Sequence, residues 1–461
     1  MTCAKALRKA VAFFHGEVSD QGGYVWRYSA DLKKAEGEGK AARGTIWVQP
    51  PGTPAVGEAY LDAWNDSREE ACLKAALDAG RTMVRGQLVS GGWTNKIELR
   101  GDRRANYDYR IDPVERKSAG RQDRKNRPIN LSSLDDDKTQ SSIRFLLRLS
   151  DATGGKYADI AESLSIALDS LLAAQFPNGG WAQAWEKGAD RGRSATKAAS
   201  FRADGSYTHE RYYRDHYTLN DNLMSTAVRT LRLAHELTGD RRYKEAAIRA
   251  GGFLLLAQMP DPQPGWAQQY DANMQPAWAR RFEPASISGG ESQAVMTTLL
   301  ELYEWCGDRK FLEAIPRALA YYEHSLLPSG KLARFYELGS NKPLYFTKTY
   351  QLTYSAADIP THYSFTVSSR LSSIRKHYDR LLISPWLLGI PAPKKRRVKS
   401  KPLAAVIGSM DARGAWVEEG KLAYWGSSDS TTRVINSRRF ADNIRLLAAL
   451  LAALLAASLA D

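Results

Sequence analysis

Cysteine and histidine are scarce in this chain of 461 residues, which has three cysteines and seven histidines. Cys3, Cys72 and Cys306 are far apart in sequence, so they form neither a disulfide framework nor a cluster of zinc ligands. The histidines show no HExxH pair, and no glycine-rich P-loop is present to bind phosphate. The sequence therefore disfavours zinc hydrolases, histidine-based triads and P-loop nucleotide enzymes.

Long apolar segments are also absent. Residues 446–460 are apolar over 15 positions, fewer than the roughly 20 that a membrane-spanning helix needs. We therefore expect a helix that docks on the protein, and no membrane segment. The first 18 residues lack the continuous apolar stretch of an export signal, because Lys5, Arg8 and Lys9 interrupt them, so the localisation stays open at this stage.

Charge is unbalanced toward one sign, since Lys and Arg number 65, Asp and Glu number 51, and the net charge is +14. Such a surplus favours an anionic partner, for instance a polyuronate, a nucleic acid or an acidic membrane surface. The basic residues are scattered and no nucleic-acid-binding motif is present, which disfavours nucleic acid. Hydrophobic residues make up 43%, so we expect an ordinary folded core.

Two short phrases recur along the chain. One is a glycine-containing turn between two segments with helical apolar spacing, found at 153–157, 238–243 and 307–311. The other ends in a tryptophan and is found at 86–93, 175–181 and 258–266. Helical hairpins that alternate with tryptophan loops indicate one structural unit that repeats several times along the chain.

The repeat predicts a mostly α fold class: an α/α-barrel or incomplete α/α toroid of repeated antiparallel helix pairs, with small β elements near the C-terminal part. Because consecutive helices alternate in direction, the tryptophan loops share one end, where we expect the functional residues. We predict a catalytic domain at 1–392, with its repeat core at about 55–327 and rim strands and loops at 328–370. A basic linker at 393–402 and a C-terminal hairpin plus helix at 403–461 follow.

Carboxylate and amide side chains stand at two of these loops. Asp221 and Asn222 begin a predicted helix, and Asp271 follows the loop tryptophan Trp266. Their oxygens could bind a hard cation such as Ca²⁺. Asp221 could instead act only as the N-cap of its helix. The run Asp135–Asp137 offers the same choice, and there a helix start is favoured.

The loop tryptophans also have two interpretations. Trp181 and Trp266 could stack on sugar rings, or they could wedge between helices at a hairpin junction. The sequence leaves both roles open.

Six segments, in one order, resemble those of a known family. They are QFPNGGW at 175–181, YTLNDNLM at 217–224, WAQQYD at 266–271, QPAWAR at 275–280, GGES at 289–292 and ARFYELGSNKP at 333–343. In these segments the chain resembles the pectate lyases of polysaccharide lyase family 10, the pectic acid lyases. The resemblance runs over nearly the whole chain and implies an α/α toroid, in agreement with the repeat.

The resemblance also implies a function, the Ca²⁺-assisted β-elimination of polygalacturonate with release of 4,5-unsaturated oligogalacturonides. It implies that Asp221, Asn222 and Asp271 bind the metal, and that Asp221 and Arg334 take part in catalysis, Arg334 as the base. The expected enzyme is a monomer that acts on polygalacturonate or pectin and binds neither nucleic acid nor membrane, and the substrate leads us to expect a secreted or periplasmic protein.

Arg334 has an alternative role, because an arginine normally stays protonated, with a usual pKa of about 12.5–13.8. Its planar guanidinium is also well shaped to clamp a uronate carboxylate. Arg280, Arg281 and Lys342 could bind substrate carboxylates or form surface salt bridges. The expected substrate-binding residues are Arg280, Arg281, Lys342, Trp181 and Trp266.

The chain departs from the family pattern at Tyr270, where many relatives have a histidine, and in the segments 100–127 and 186–211, which we expect to form atypical rim loops. Two other functions compete with the lyase. One is a glycoside hydrolase that uses Asp221 and Asp271 as acid and base. The other is a non-catalytic polyanion binder, whose affinity should fall steeply with salt.

Overall fold

The computed structural model describes residues 2–112, 127–186, 196–209, 213–383 and 403–458. The chain divides into two compact units, one formed by residues 1–171 and 395–461 and the other by residues 172–394. The helices are α1 (Cys3–Phe13), α2 (Thr53–Ser67), α3 (Glu70–Arg85), α4 (Lys138–Ala152), α5 (Ala158–Ala173), α6 (Leu223–Thr238), α7 (Arg241–Leu256), α8 (Gly289–Cys306), α9 (Lys310–Glu313), α10 (Ile315–His324), α11 (Leu371–Ile383), α12 (Leu403–Gly408) and α13 (Ser437–Ser458). The strands are β1 (Arg27–Ser29), β2 (Ala35–Glu36), β3 (Lys40–Ala41), β4 (Thr45–Trp47), β5 (Lys96–Glu98), β6 (Ser132–Ser133), β7 (Ala184–Trp185), β8 (Tyr217–Thr218), β9 (Gln269–Tyr270), β10 (Ile287–Ser288), β11 (Leu332–Ala333), β12 (Phe335–Tyr336), β13 (Tyr345–Phe346), β14 (Leu352–Thr353), β15 (Thr366–Val367), β16 (Val417–Glu419) and β17 (Arg433–Asn436).

The predicted fold class, mostly α with repeated helix pairs and small β elements, is confirmed. In the unit at 172–394, α6 and α7 pack as a pair joined by the turn at Gly239 and Asp240. Gly239 ends α6 with a φ of 73°, which a residue without a side chain adopts most easily, and Asp240 caps α7 by accepting a hydrogen bond from the backbone N–H of Arg242 at 2.9 Å. The recurring glycine phrase is thus a helix stop followed by a helix start.

The two ends of the chain share one sheet in the other unit. Its strand order is β16-β17-β1-β2-β3, so the C-terminal hairpin pairs with the first strand. Helix α13 packs on α2, where Arg445 pairs with Asp62 at 2.7 Å. Phe440 of α13 also stacks on Phe14, which directly follows α1. Among the described helices, none is both long enough and apolar enough to cross a bilayer. The predicted linker at 393–402 lies outside the described residues, so the domain division at 392 stays a prediction.

The tryptophan loops are closed by the same hydrogen bonds in each repeat. The side-chain amide nitrogens of Gln87, Gln175 and Gln258 donate to loop carbonyls of Gly91, Gly179 and Pro264 at 2.8, 3.0 and 3.1 Å. They also donate to helix or helix-end carbonyls of Ser163, Ala246 and Ala314 at 2.8, 2.9 and 2.9 Å. Each amide therefore ties its loop to a neighbouring helix.

The loop tryptophans fill the core. Trp93, Trp181 and Trp266 have no exposed surface. The indole N–H of Trp266 donates to the carbonyl of Leu254 at 2.7 Å, in the last turn of α7. A ring with no exposed face cannot stack on a sugar, so Trp181 and Trp266 act as wedges between elements, and the structure does not support their assignment as substrate-binding residues.

The burial of Trp266 predicts a large effect on stability. Trp266→Ala should lower the free energy of unfolding by about 3–5 kcal/mol, because it leaves a cavity and an unpaired Leu254 carbonyl. Leu352→Ala, at a strand position that is 44% exposed, is the control and should change it by less than about 0.5 kcal/mol. Urea unfolding followed by circular dichroism measures both, and an unchanged midpoint for Trp266→Ala would contradict the wedge role.

Candidate functional site

The residues predicted to be functional belong to the unit at 172–394. They stand at the turn before α6 (Asp221, Asn222), after β9 (Asp271), between β9 and β10 (Arg280, Arg281), between β11 and β12 (Arg334) and after β12 (Lys342).

The turn before α6 has a special backbone. Asp221 and Asn222 have φ values of 52° and 59°, in the left-handed region where Asp and Asn are the commonest residues after glycine. Asn222 holds the N-cap position, and no side chain caps the helix. The interpretation of Asp221 as a simple N-cap is therefore wrong. The turn leaves Asp221 half-buried and Asn222 exposed.

The same backbone precedes α4 in the other unit. Asp136 and Asp137 have φ values of 49° and 62°, and α4 begins directly after them at Lys138. Helix α4 therefore starts directly after this run, as predicted, and, as at α6, no side chain caps it. Asp137 forms an ion pair with Arg144 at 2.5 Å, so this turn also carries charge that the helix cap does not use.

Asp271 is held by its own loop. Its Oδ1 accepts hydrogen bonds from the backbone N–H groups of Asn273 and Gln275 at 2.8 and 3.0 Å. Its Oδ2 faces the guanidinium of Arg202 at 3.3 Å. Both oxygens of this buried carboxylate therefore have partners.

The pairing of β8 with β9 joins the segments that carry Asp221 and Asp271. Tyr217 pairs with Tyr270 and Thr218 pairs with Gln269, so Asp271 follows one end of the ladder and Asp221 follows the other. After β8, the backbone N–H groups of Leu219 and Asn220 both donate to the carbonyl of Gln268, at 2.7 and 3.1 Å. The turn that carries Asp221 is therefore hydrogen-bonded to the segment that leads to Asp271.

Glu283 is the centre of the contacts around the predicted site. It is 2% exposed, and its Oε2 and Oε1 accept hydrogen bonds from Arg280 Nε and Nη2 at 2.7 and 2.5 Å. Oε1 also accepts hydrogen bonds from the side-chain amide of Asn220 and the hydroxyl of Tyr363, both at 3.4 Å. A buried carboxylate needs such partners to offset its desolvation.

Arg280 is therefore engaged by the protein itself. Desolvation lowers the pKa of Arg280, but the hydrogen bonds and charge of Glu283, with a further contribution from Asp221, raise it above its usual value. The guanidinium also lies over the ring of Phe282, at 5.3 Å from the centroid. Arg280 stays protonated beside Asp221, and much of its donor capacity is already used.

A buried polar network continues from Asn220. Its side-chain oxygen accepts a hydrogen bond from Gln268 Nε2 at 3.0 Å, and the same nitrogen donates to Glu291 Oε1 at 3.1 Å. The hydroxyl of Ser288 donates to the other oxygen of Glu291. The network joins the turn before α6 to the first turn of α8, and so fixes the backbone that carries Asp221.

Arg334 has a different environment. Its Nε donates to the carbonyl of Ser364 at 2.6 Å, and its guanidinium carbon lies 4.7 Å from the ring centroid of Tyr363. Among the described residues, its two terminal nitrogens make no hydrogen bond. The side chain is only half-buried, so these nitrogens can reach a ligand.

Lys342 and Arg281 make other contacts. The ammonium group of Lys342 lies 5.4 Å from the ring centroid of Tyr354, and the backbone N–H of Glu337 donates to the carbonyl of Lys342 at 2.8 Å. Lys342 thus contacts Tyr354 and Glu337, and Arg281 is exposed.

Sequence reasoning missed Glu283, Tyr363, Asn220 and Arg202. Glu283 follows Arg280 by three positions, a weak signal for an ion pair. Arg202 lies in the segment 186–211, which was expected to form an atypical rim loop, and it reaches Asp271 from there. No periodicity or motif marks Tyr363.

The arrangement suits chemistry on an anion. Arg334 offers two terminal nitrogens in the planar geometry that matches a carboxylate. Asp221 and Asn222 offer a carboxylate and an amide oxygen at adjacent positions, the ligand types that hard cations prefer. Glu283 and Tyr363 connect the two parts through Arg280 and Arg334.

The pectic acid lyase family matches the chain over residues 87–329. No curated protein sequence matches it. Among solved structures, the chain is similar to a family 10 polysaccharide lyase from Cellvibrio cellulosa, with a TM-score of 0.46, 19% identity, and coverage of 65% of this chain and 90% of that one.

Two further structures are similar to the chain. A mutant of a family 10 polysaccharide lyase from Cellvibrio cellulosa, in complex with trigalacturonic acid, has a TM-score of 0.47 and 18% identity, and the coverage is 71% of this chain and 98% of that one. A D-mannose isomerase has a TM-score of 0.45 and 12% identity, with coverage of 97% and 96%. All three scores are below 0.5, so the assignment depends on the family match, which extends over more than half of the residues. The chain belongs to the pectic acid lyase family and is a polysaccharide lyase.

Proposed function

We propose that this lyase cleaves polygalacturonate by Ca²⁺-assisted β-elimination, with Arg334 as the base, and releases 4,5-unsaturated oligogalacturonides. The observation that carries the proposal is the setting of Arg334. Its guanidinium is held at Nε by Ser364 and on one face by Tyr363, while its terminal nitrogens make no hydrogen bond among the described residues. The family of the chain and its net charge of +14 support an anionic polyuronate substrate.

The reaction needs a base and positive charge at the same sugar. The base removes the proton from C5, the electrons of that bond form the C4–C5 double bond, and the C4–O4 bond breaks. The leaving oxygen then takes a proton from solvent. Negative charge develops on the carboxylate next to C5, so cationic groups that face this carboxylate stabilise the transition state.

An arginine can act as a base only in its neutral form, which neighbouring cations and desolvation favour. Arg280 is the protonated arginine on the other side of Tyr363, and the hydrogen bonds and charge of Glu283, with Asp221, hold it in that state. The charges of Arg280 and Arg334 both act on Tyr363, which lies between them. The alternative role of Arg334, a clamp on the uronate carboxylate, uses the same terminal nitrogens. Measurements of kcat and KM distinguish the clamp from the base.

Asp221 and Asn222 fit a calcium ion, because their oxygens are hard ligands at adjacent positions of a turn that is not used as a helix cap. Asp271 fits less well, since its Oδ1 accepts two backbone hydrogen bonds and its Oδ2 faces Arg202. When bound, calcium would supply positive charge to the uronate carboxylate. Asp221, Asn222 and Asp271 would hold it there.

The proposed reaction produces a conjugated product that absorbs ultraviolet light. Incubation of the protein with polygalacturonate and Ca²⁺ should give rising absorbance that stops on addition of EDTA and resumes when Ca²⁺ is restored, because the cation stabilises the developing charge. Saturated products formed in the presence of EDTA would indicate a hydrolase instead. Salt-sensitive binding of the polymer without any product would indicate a polyanion binder.

Arg334→Ala removes the proposed base. We expect kcat to fall by about 10²–10⁴-fold, the usual contribution of a general base, with a smaller change in KM. Arg317→Ala is the charge-matched control, because Arg317 is exposed and its ion pair among the described residues is with the exposed Asp261. A raised KM with an unchanged kcat in Arg334→Ala would assign the residue to substrate binding and overturn the base.

Asp221→Asn keeps the shape of the turn and removes one charge from the proposed calcium site. Calcium affinity, measured by isothermal titration calorimetry without substrate, should fall by about tenfold or more, since ligand charge sets the affinity of such sites. Asp261→Asn, at a side chain that is 80% exposed, should leave the affinity unchanged. Equal affinities for the wild type and Asp221→Asn would remove Asp221 from the metal site.

A further inference from the structure

Tyr363 lies between the two arginines of the site. Its ring centroid is 4.7 Å from the guanidinium carbon of Arg334, within the distance of about 6 Å at which an aromatic face attracts a cation. Its hydroxyl donates to Glu283 Oε1 at 3.4 Å, and Glu283 binds Arg280 through both oxygens. One side chain thus contacts Arg334 through its face and the Glu283–Arg280 pair through its hydroxyl.

The ring of Tyr363 is itself fixed by aromatic neighbours. Phe282, Phe365 and Phe335 lie at centroid distances of 4.7, 5.3 and 6.4 Å. Burial, followed by the charge of Glu283, raises the pKa of Tyr363 above its usual value, so the hydroxyl stays protonated and donates to the carboxylate. The ring therefore has little freedom to turn away from Arg334.

The residues after Tyr363 restrain the same arginine. The carbonyl of Ser364 accepts a hydrogen bond from Arg334 Nε at 2.6 Å, and the carbonyl of Phe365 accepts one from the backbone N–H of Arg334 at 2.8 Å. Strand β15, which directly follows Phe365, pairs with β11, which directly precedes Arg334. The segment 363–367 therefore fixes the backbone, the Nε and one face of Arg334, and leaves the terminal nitrogens for a ligand.

We propose that Tyr363 is a positioning residue for Arg334, and that its ring holds the guanidinium in the orientation that presents the terminal nitrogens to the uronate unit. The inference rests on the proposed function of Arg334. An arginine side chain that is held before the substrate arrives loses less conformational freedom in the reaction. The contribution of Tyr363 therefore depends on its ring, and the hydroxyl plays a secondary part.

Two substitutions separate the ring from the hydroxyl. Tyr363→Phe keeps the aromatic face, so kcat should stay within about threefold of the wild type, whereas Tyr363→Leu should lower kcat by about 10–100-fold with KM changed less. Phe346→Leu is the matched control, because Phe346 belongs to the same aromatic cluster and has no contact with Arg334 among those described. It should lower the melting temperature without lowering kcat. An equal loss of kcat in Tyr363→Phe and Tyr363→Leu would overturn the proposal.

A double-mutant cycle distinguishes positioning from general damage. If Tyr363 acts through Arg334, adding Tyr363→Leu to Arg334→Ala should cause no further loss of the residual rate. A loss by the same factor in both backgrounds would show that the two residues act independently, and would overturn the proposal.

The same cycle can be measured without catalysis. Binding of trigalacturonate by calorimetry should be weakened by Tyr363→Leu in the wild-type background, kept by Tyr363→Phe, and not weakened further by Tyr363→Leu in the Arg334→Ala background. A protein that binds in this pattern but gives no unsaturated product would contradict the elimination reaction and support the positioning role. A protein that gives unsaturated product, but in which Tyr363→Leu changes neither binding nor kcat, would contradict the positioning role and leave the elimination reaction supported.

Discussion

The buried carboxylate of Glu283 is the constraint on which the candidate site depends. A charge that is 2% exposed is stable only when its partners are in place, and removing one partner of a buried pair typically costs about 3–5 kcal/mol. Its partners come from three separate segments: Arg280, Asn220 and Tyr363. Asn220 begins the turn that carries Asp221, and Tyr363 lies under Arg334. Glu283 therefore holds Asn220, next to the proposed metal ligand, and also accepts a hydrogen bond from Tyr363, whose ring faces the proposed base.

The helices do not all begin in the same way. Helices α8 and α13 begin directly after their strands, at Gly289 and Ser437. Helices α4 and α6 begin only after four further residues, two of which have a positive φ in each case. Such backbone is held in place by the surrounding structure, and it tends to occur at functional sites. The insertion before α6 is the one that supplies Asp221 and Asn222, so a local change of helix start adds the proposed metal ligands to the repeat.

Features that depend on neighbouring residues could be predicted from the sequence, whereas features that depend on contacts between distant residues could not. Gly239 marked a helix end because the left-handed conformation favours glycine, and the structure has that end. The tryptophan phrase could not reveal that Trp181 and Trp266 are buried, because a wedge and a sugar platform have the same local sequence. Glu283 was missed because its importance comes from Asn220 and Tyr363, 63 and 80 residues away in the chain. No periodicity of helices or strands carries that information.

The contacts of Arg334 bear on its two possible roles in the same way. The Tyr363 face and the Ser364 carbonyl take up one surface and the Nε of the guanidinium, so in either role the terminal nitrogens do the work. A clamp needs them charged and a base needs one of them neutral, but neither role needs the side chain to move. The two roles therefore differ in the charge that the guanidinium must carry. An orientation fixed in advance serves both roles, because a restrained guanidinium gives up less entropy whether it binds a carboxylate or accepts a proton.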